Sequence, residues 1–420
     1  MTVPETTTGA VIWSEGFEAY RWAREHPMNP VRLALTMSLA SSLGVLDGID
    51  PVPPLDIDDQ MLTVVHTQHY IDAVREVGSE GGSPNHALYE QVYGLGDMDN
   101  PVFPGMHEAA RMLVGGSVAA AKAIADGHVR RAVNIGGGMH HAMASRAAGF
   151  CVYNDCAIAI DWLLEHGFDR IAYIDVDAHH GDGVERAFAD DPRVLTISLH
   201  QHPATLWPGT GWPTESGGAG APGSAANVAL MPGIVDSMWL RAFHAVVPSL
   251  IAEFKPQIIV SQCGADSHDA DPLTDLGLSV EGQRAAILAM RDLADRHTDG
   301  RWLAVGGGGY GVINVVPRIW THLIAAALGR DLDPATAIGD DWLAAATAAS
   351  ADVDPAYAAA PAPTMGDGGT VDYVRWEGDS GAEPPAGVDE RMFRQTDRTI
   401  LATRKAVFPL HGLDPEDPRD

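Results

Sequence analysis

The chain has 420 residues, of which 46% are hydrophobic, and it carries a formal net charge of −29 at pH 7. The length allows a large core, and the acidic excess argues against direct nucleic-acid binding, because phosphate-binding surfaces need clusters of Lys and Arg. No run of about 18 consecutive apolar residues indicates a membrane span, and the start MTVPETTTGA has neither the basic nor the apolar part of a secretory signal, so we expect a cytoplasmic protein.

The predicted elements alternate between helices and short apolar strands. A helix is predicted after Asn29, which can cap it with Pro30 in the first turn, and another helix spans Gly105 to Gly127. Strand-forming runs follow in the order RAVNI, RIAYIDV, RVLTISL, QIIVSQC and RWLAVGG, and the helical segment DSMWLRAFHAVVPSLIAEF separates the third run from the fourth. This alternation predicts an α/β fold with a mainly parallel central sheet flanked by helices.

Each strand-forming run is followed by a segment rich in glycine, histidine or aspartate. In chain order these segments are GGGMHHA, DAHHGDG, HQHPATLWPGTG, GADSHDADP and GGGGYG. Ligands of open α/β sheets bind beyond the carboxyl ends of the strands, so we expect the five segments to face one active site.

The composition shifts near residue 331, where Ala, Pro, Asp and Gly become prominent. We expect residues 10–330 to form the catalytic domain and residues 331–420 to form a partly ordered C-terminal extension. The aromatic residues of this extension include Trp376 and Phe408, which are candidates for contacts with the main domain.

Asp177 and His179 follow one apolar run, and Asp266 follows another. Side chains two residues apart on an extended strand point to the same side, so Asp177 and His179 can share a cation that Asp266 completes. Two carboxylates and one imidazole leave a coordination position open, which is typical of a catalytic rather than a structural metal.

The adjacent His140 and His141 have candidate partners in Asp175 and Asp182. A carboxylate partner fixes the tautomer of an imidazole and raises its basicity, which suits a general base acting on water. Tyr310, in the last glycine-rich segment, can donate a hydrogen bond to an oxyanion. No GK[ST] follows those glycines, so a P-loop is excluded.

Together these motifs resemble the zinc-dependent histone deacetylase family, particularly its bacterial acetoin-utilisation-type members and its eukaryotic class I enzymes. The likeness runs from HPMNPVR (His26 to Arg32) through VINVVPRIW (Val312 to Trp320), and it includes GGMHHA, GFCVYND, YIDVDAHHGDGVE, PGTG, QCGADS and GGGGY in the family's order. The resemblance implies a single domain of the arginase/deacetylase type. It also implies an amidohydrolase that removes acetyl groups from the ε-amine of lysine in proteins.

The resemblance further implies roles for individual residues. The ligands of zinc, or of iron in its place, would be Asp177, His179 and Asp266. The catalytic residues would be His140, His141, Asp175, Asp182 and Tyr310. A structural potassium ion would be bound, largely through backbone oxygens, by Asp175, Asp177, His179, Ser198 and Leu199. A second potassium site would lie near Phe188, Asp191 and Val194. The substrate would contact Asp99 at the rim of an acyl-lysine tunnel lined by Gly149, Phe150, Trp207, Leu273 and Gly308.

Two residues depart from the family's pattern. Trp207 stands where the family usually has Phe, which bears on the preferred acyl chain. Pro272 stands where the nuclear class I enzymes carry a basic residue for inositol phosphate, so we do not expect that regulation here.

Three other functions are alternatives to protein deacetylation. An acetylpolyamine amidohydrolase would use the same chemistry, and the acidic charge would attract its cationic substrate. An arginase-like enzyme needs a D-x-H-x-D segment to bridge two manganese ions, but its fifth position here is Gly181. A catalytically silent acyl-lysine binder would lack catalytic residues, and every catalytic position is filled. The expected partner is therefore an acetylated protein or an acetylated small amine, whereas the sequence does not indicate the oligomeric state.

Overall fold

A seven-stranded parallel sheet forms the centre of the protein. The computed structural model describes residues 7–378, 383–384 and 388–420. The strands are β1 (Thr7–Val11), β2 (Val129–Asn134), β3 (Ile171–Asp175), β4 (Val194–Gln201), β5 (Ala225–Leu230), β6 (Ile258–Gln262) and β7 (Trp302–Val305). They lie in the order β1-β2-β7-β6-β3-β4-β5, and every neighbouring pair is parallel.

Helices connect and cover these strands. They are α1 (Val31–Ser42), α2 (Asp59–Leu62), α3 (Gln68–Val77), α4 (His86–Tyr93), α5 (Met106–Ala125), α6 (Asp155–Glu165), α7 (Asp182–Phe188), α8 (Asp236–Phe254), α9 (Val280–His297), α10 (Val316–Ala327), α11 (Asp340–Ala349) and α12 (Glu390–Val407). Short 3₁₀ helices cover Glu15–Ala19, Ser350–Asp352 and Phe408–His411.

The helices form two groups that contact the sheet. Helices α5 and α6 contact each other, and so do α8, α9 and α10 in sequence, while β2 and β6 each contact members of both groups. All residues of β3, β4, β5, β6 and β7 are buried, as expected for parallel strands covered on both faces. The predicted α/β fold with a parallel sheet flanked by helices is confirmed.

The five strand-forming runs of the sequence correspond to β2, β3, β4, β6 and β7, and the predicted helices correspond to α1, α5 and α8. The sequence predicted Asn29 as the N-cap of α1 with Pro30 in its first turn. In the structure Pro30 is the N-cap and the helix begins at Val31, whose N–H donates to the side chain of Asn29 at 3.0 Å. Strands β1 and β5 were not predicted, and they add one strand to each edge of the sheet.

The chain beyond residue 330 contacts the rest of the molecule at several points. Helix α12 packs on β5 and α8. Trp376 and Phe408 are buried, and the guanidinium of Arg404 lies 4.4 Å and 4.0 Å from their respective ring centroids. The division of the chain near residue 331 stays a prediction, and residues 379–382 and 385–387 of the predicted extension lie outside the described residues.

Among the described helices, none combines the length and apolar character that crossing a membrane requires.

Candidate active site

The predicted catalytic, zinc-binding and substrate-binding residues other than Asp99 lie at the carboxyl ends of β2, β3, β4, β6 and β7 or in the segments that follow these strands. The strands are parallel, so their carboxyl ends share one edge of the sheet. Asp177 and His179 lie in the loop that follows β3 rather than on the strand itself, which ends at Asp175. Asp266 likewise lies four residues beyond the end of β6.

Asp177, His179 and Asp266 form a compact cluster. The Nδ1 atom of His179 lies 3.1 Å from Oδ1 of Asp177 and 3.0 Å from Oδ2 of Asp266. The three candidate ligand atoms all lie within 4.8 Å of one another, and both aspartates are fully buried. Ligands about 2.0–2.2 Å from a tetrahedral zinc ion are separated by distances of this kind. The three residues therefore fit one divalent cation.

Other hydrogen bonds orient the two carboxylates. The second oxygen of Asp177 accepts from Nε2 of Gln262 at 2.6 Å and from the backbone N–H of Gly308 at 2.8 Å. The second oxygen of Asp266 accepts from the N–H of Ala178 at 2.9 Å. Each carboxylate is thus held by one oxygen, and the other oxygen faces His179, an arrangement typical of supported metal ligands.

The electrostatics of the cluster also favour a cation. Burial and the neighbouring charge of Asp177 together raise the pKa of Asp266 to about 7. Burial alone would lower the pKa of His179, but Asp177 and Asp266 outweigh burial and raise it to about 10. Raised pKa values of buried groups indicate an excess of negative charge in the site, and a divalent cation would balance that charge.

Two histidine–aspartate pairs lie beside the cluster. Nδ1 of His140 donates to Asp175 and Nδ1 of His141 donates to Asp182, each at 2.8 Å, and the two imidazole centroids are 3.9 Å apart. Nε2 of His140 lies 3.9 Å from Oδ2 of Asp177. Both imidazoles therefore use Nδ1 for a carboxylate, which leaves Nε2 available for proton transfer.

The two imidazoles have opposite proton affinities. Burial lowers the pKa of His140, but Asp175 and Asp177 outweigh burial, so the pKa rises to about 9. Burial lowers the pKa of His141 to about 4, and the charge of His140 contributes to that decrease. At neutral pH, His141 is thus an acceptor of protons and His140 is a donor.

Asn154 and Asp155, which the sequence analysis missed, hold the loop that carries the histidines. The carboxylate of Asp155 accepts from the N–H groups of Gly138 and Met139 at 3.0 and 2.7 Å. The amide of Asn154 donates to the carbonyl of His140 at 3.3 Å and caps α6 through the N–H of Ala157. The sequence offered one signal for Asn154: an Asn-Asp pair immediately before a helical pattern is typical of a helix N-cap.

Tyr310 is almost fully buried. Its N–H donates to Asp271 at 2.8 Å, and its ring meets the ring of Phe150 edge-on with centroids 5.6 Å apart. Burial raises the pKa of Tyr310 well above its usual value, and Asp266 raises it further. The phenol therefore keeps its proton and can donate a hydrogen bond. Asp271 is a third residue that the sequence analysis missed.

Two aromatic side chains, Trp207 and Phe150, lie around the site. Trp207 is 45% exposed, and its ring centroid lies 4.6 Å from that of His141 and 6.4 Å from that of His179. A Cβ atom at Gly149 would lie 2.7 Å from the indole of Trp207, so only glycine allows this close approach. Trp207 thus lies beside His141, whereas Phe150 lies beside Tyr310.

The loop of Trp207 is anchored through its PGTG segment. Nδ1 of His180 is 2.9 Å from the hydroxyl of Thr210, and Nε2 of His180 is 3.0 Å from the carboxylate of Glu185. Since His180 is buried, this contact fixes the loop from inside.

Three further predicted substrate residues lie around this site. Asp99 is exposed, and its carbonyl accepts from Nε2 of His26, whose ring centroid is 4.7 Å from that of Phe150. Leu273 is half-buried and donates its N–H to Asp271. Gly308 supports Asp177 as described, and a side chain at Gly308 would collide with Asp266.

The predicted potassium ligands lie on neighbouring strands. Asp175 on β3 pairs in register with Ser198 on β4, and both Ser198 and Leu199 are buried. Near the second predicted site, the carboxylate of Asp191 forms an ion pair with Arg193 at 2.7 Å. Both potassium sites stay predictions.

A comparison with protein families matches residues 26–327 to the histone deacetylase domain. The chain belongs to the histone deacetylase family. This confirms the resemblance noted in the sequence, including its bacterial acetoin-utilisation type.

Relatives and solved structures agree with this assignment. The chain is 40% identical to the acetoin utilization protein AcuC of Bacillus subtilis over 332 residues, which cover 79% of this chain and 84% of the relative. It is 36% identical to AcuC of Staphylococcus xylosus, with coverage of 82% and 88%. An HDAC homologue crystallised with SAHA superposes with a TM-score of 0.79 at 27% identity, covering 94% of this chain and all of that structure. An HDAC homologue from Aquifex aeolicus superposes with a TM-score of 0.77 at 26% identity, covering 93% and 99%.

Proposed function

We propose that the protein is a zinc-dependent deacetylase that hydrolyses the acetyl amide of ε-acetyl-lysine in proteins. The observation that carries the proposal is the placement of the Asp177–His179–Asp266 cluster beside two His–Asp pairs of opposite proton affinity. Membership of the histone deacetylase family supports the deacetylase reaction.

The metal would be held by Asp177, His179 and Asp266. When bound, zinc would supply Lewis acidity toward the amide carbonyl and would lower the pKa of water at the site. Two carboxylates and one histidine also suit iron.

The protein's own groups account for the proton transfers. His141 is neutral at pH 7 and can take the proton of the attacking water, because its pKa is about 4. The pair of histidines then delivers a proton to the leaving ε-amine, and His140 carries one at pH 7 because its pKa is about 9. The hydroxyl of Tyr310 donates to the oxygen on which negative charge develops.

The surrounding residues select the substrate. Phe150 and Trp207 would enclose the aliphatic stem of the acetyl-lysine between two rings. Asp99 is exposed, and its backbone carbonyl contacts His26, whose ring packs against Phe150. Its carboxylate would accept hydrogen bonds from the backbone amides of a peptide. An acetylated polyamine has no such flanking amides, so Asp99 favours a protein substrate.

The test is acetate release by the purified full chain from acetyl-lysine peptides and from acetylspermidine. We expect turnover of the peptides, loss of activity on chelation, recovery with zinc, and loss in Asp177→Asn. Asp292→Asn, which also removes one carboxylate but lies on α9, should keep wild-type activity. If zinc-loaded protein released acetate only from acetylspermidine, the protein-substrate proposal would be wrong. If it bound acetyl-lysine peptides without hydrolysing them, it would be a silent binder.

A further inference from the structure

Asp367 lies beyond the part of the chain that matches the family, yet it contacts the loop that carries a candidate metal ligand. Its carboxylate accepts from Nε2 of His268 at 2.9 Å and from the N–H of Val280 at 2.8 Å. The other oxygen accepts from the guanidinium of Arg318 at 2.7 Å. The side chain of Asp367 thus joins three elements: the loop that contains Asp266 (residues 264–278, here called the Asp266 loop), the start of α9, and helix α10.

His268 is the residue through which this contact reaches the site. It is buried and lies two residues after Asp266. The N–H of Ala270 donates to Nδ1 of His268 at 3.0 Å, so Nδ1 is the acceptor and Nε2 carries the hydrogen donated to Asp367. The imidazole therefore connects the turn at residues 268–270 to the C-terminal segment.

The same turn leads to two groups of the active site. Asp271, which follows the turn, accepts the N–H of Tyr310. The backbone of Leu278 exchanges hydrogen bonds with Ser267 and Asp269, which closes the loop behind Asp266. Movement of His268 would therefore be transmitted to Asp266 on one side and to Asp271 on the other.

The segment that carries Asp367 is itself firmly placed. The carboxylate of Glu281 accepts the N–H groups of Asp367 and Gly368 at 3.1 and 2.9 Å. Met365 is fully buried, and its carbonyl lies 3.3 Å from Nε2 of His322. Burial would raise the pKa of Asp367, but the hydrogen bonds from His268, Val280 and Arg318 outweigh burial and hold it well below its usual value. The carboxylate is therefore ionised and forms strong, charge-assisted hydrogen bonds.

We propose that Asp367 is a positioning residue that holds the loop of Asp266 in its metal-binding geometry through His268. The C-terminal segment is then part of the active-site scaffold. The ordering of the loop by Asp367 does not depend on the proposed function. The expected effect of Asp367 on metal retention does rest on the proposed function.

Asp397 provides a matched control. It also belongs to the chain beyond the family match, and it forms an ion pair with a buried arginine, Arg241, at 2.8 Å. That pair joins α12 to α8, away from the Asp266 loop. Asp367→Asn and Asp397→Asn thus both remove one charge from a C-terminal contact, but only the first one touches the loop.

Two measurements on the full-length chain test the proposal. Hydrogen exchange of residues 264–278 is followed in the metal-free protein, and zinc release to a chelator is followed in the loaded protein. Asp367→Asn should accelerate both, and it should accelerate zinc release by about tenfold or more, the usual scale by which losing a residue that orients metal ligands weakens metal binding. Asp397→Asn should leave both rates unchanged even if it lowers the melting temperature. If Asp367→Asn does not fold, His268→Asn keeps an acceptor for Ala270 and removes the contact with Asp367.

Wild-type exchange and release rates in Asp367→Asn would overturn the proposal. Equal acceleration in both aspartate variants would also overturn it, since the effect would then be one of general stability. Accelerated loop exchange in Asp367→Asn, together with a wild-type protein that binds no zinc, would refute the proposed function and leave the positioning role standing.

Discussion

The backbone N–H of Tyr310 donates to the carboxylate of Asp271 at 2.8 Å, which joins the glycine-rich loop after β7 to the loop after β6. The same carboxylate accepts the N–H of Leu273 at 3.0 Å. Four glycines precede Tyr310 and give its backbone wide conformational freedom. The contact with Asp271 restricts that freedom at the residue that we propose as the oxyanion donor.

Tyr310→Phe should keep the metal and the fold but reduce kcat by about 100-fold or more, the scale for deleting one oxyanion donor. The loss should fall on kcat because the hydrogen bond strengthens as charge develops. Metal analysis and steady-state kinetics on an acetyl-lysine peptide measure this. A variant with near-normal kcat would remove Tyr310 from the mechanism.

Asp271→Asn should lower kcat through Tyr310, since the contact that orients its backbone is weakened. The decisive measurement is the double variant with Tyr310→Phe. If Asp271 acts only on the tyrosine, the double variant should be no slower than Tyr310→Phe alone. Losses that multiply would instead show that Asp271 acts on another group.

Sequence patterns predicted the residues whose side chains are themselves typical metal ligands or proton-transfer groups. The Asp177–His179–Asp266 cluster and both His–Asp pairs were predicted because short apolar runs end in dense Asp, His and Gly segments. Asn154, Asp155 and Asp271 were missed as site residues because they bind backbone N–H or carbonyl groups of other loops, which no sequence pattern identifies. The Asn-Asp pair before α6 indicates a helix cap but not its contacts with the histidine loop. Asp367 was missed because its partner His268 lies 99 residues away.

The strands divide in a similar way. Strand β3 reads IAYID and is rich in β-forming residues, whereas β1 reads TTGAV and β5 reads AANVAL, which are weaker patterns. Strand β5 is held by its pairing with β4 and by α12, whose Thr403 donates to the carbonyl of Asn227 at 2.6 Å. Tertiary contacts therefore decide where the weak strands form.

The two histidines should give hydrolysis a bell-shaped dependence on pH. Activity should rise on the acid side as His141, whose pKa is lowered by burial, loses its proton. It should fall on the alkaline side as His140, whose pKa is raised by Asp175 and Asp177, loses its proton. Asp175→Asn removes a carboxylate that raises the pKa of His140, so the alkaline limb should move to lower pH. Profiles of kcat/KM for both proteins provide the measurement, and identical alkaline limbs would contradict the assignment.

The raised pKa of His140 has a matching effect on the metal-free protein. Because the pKa is higher in the folded state than the usual value of about 6.5, protonation stabilises the fold fully below that pH. The contribution is lost as pH rises through about 9. The free energy of unfolding of the chelated protein should therefore fall over this interval, and by less in Asp175→Asn.

Asp99→Ala should impair peptide substrates far more than a small acetyl-lysine analogue without flanking amides. The expected cost on peptides is about 1.5–3 kcal/mol, the range for hydrogen bonds to a charged group. The ratio of kcat/KM for the two substrates is the quantity to compare between wild type and variant. Equal losses would argue against recognition at the rim and would favour a small-molecule substrate.

Trp207 offers the clearest test of acyl-chain preference. Its indole lies against His141 and is larger than the phenylalanine ring usual in the family, so it should favour a short acyl group over bulky ones. Trp207→Phe should keep acetyl-lysine hydrolysis within about tenfold, because the lost aromatic contact is worth roughly 1 kcal/mol. The variant should also accept butyryl groups more readily, since the smaller ring leaves more room beside His141. Measuring kcat/KM on acetyl, propionyl and butyryl peptides separates the two effects. An unchanged ratio across that series would mean that the indole does not line the path of the acyl group.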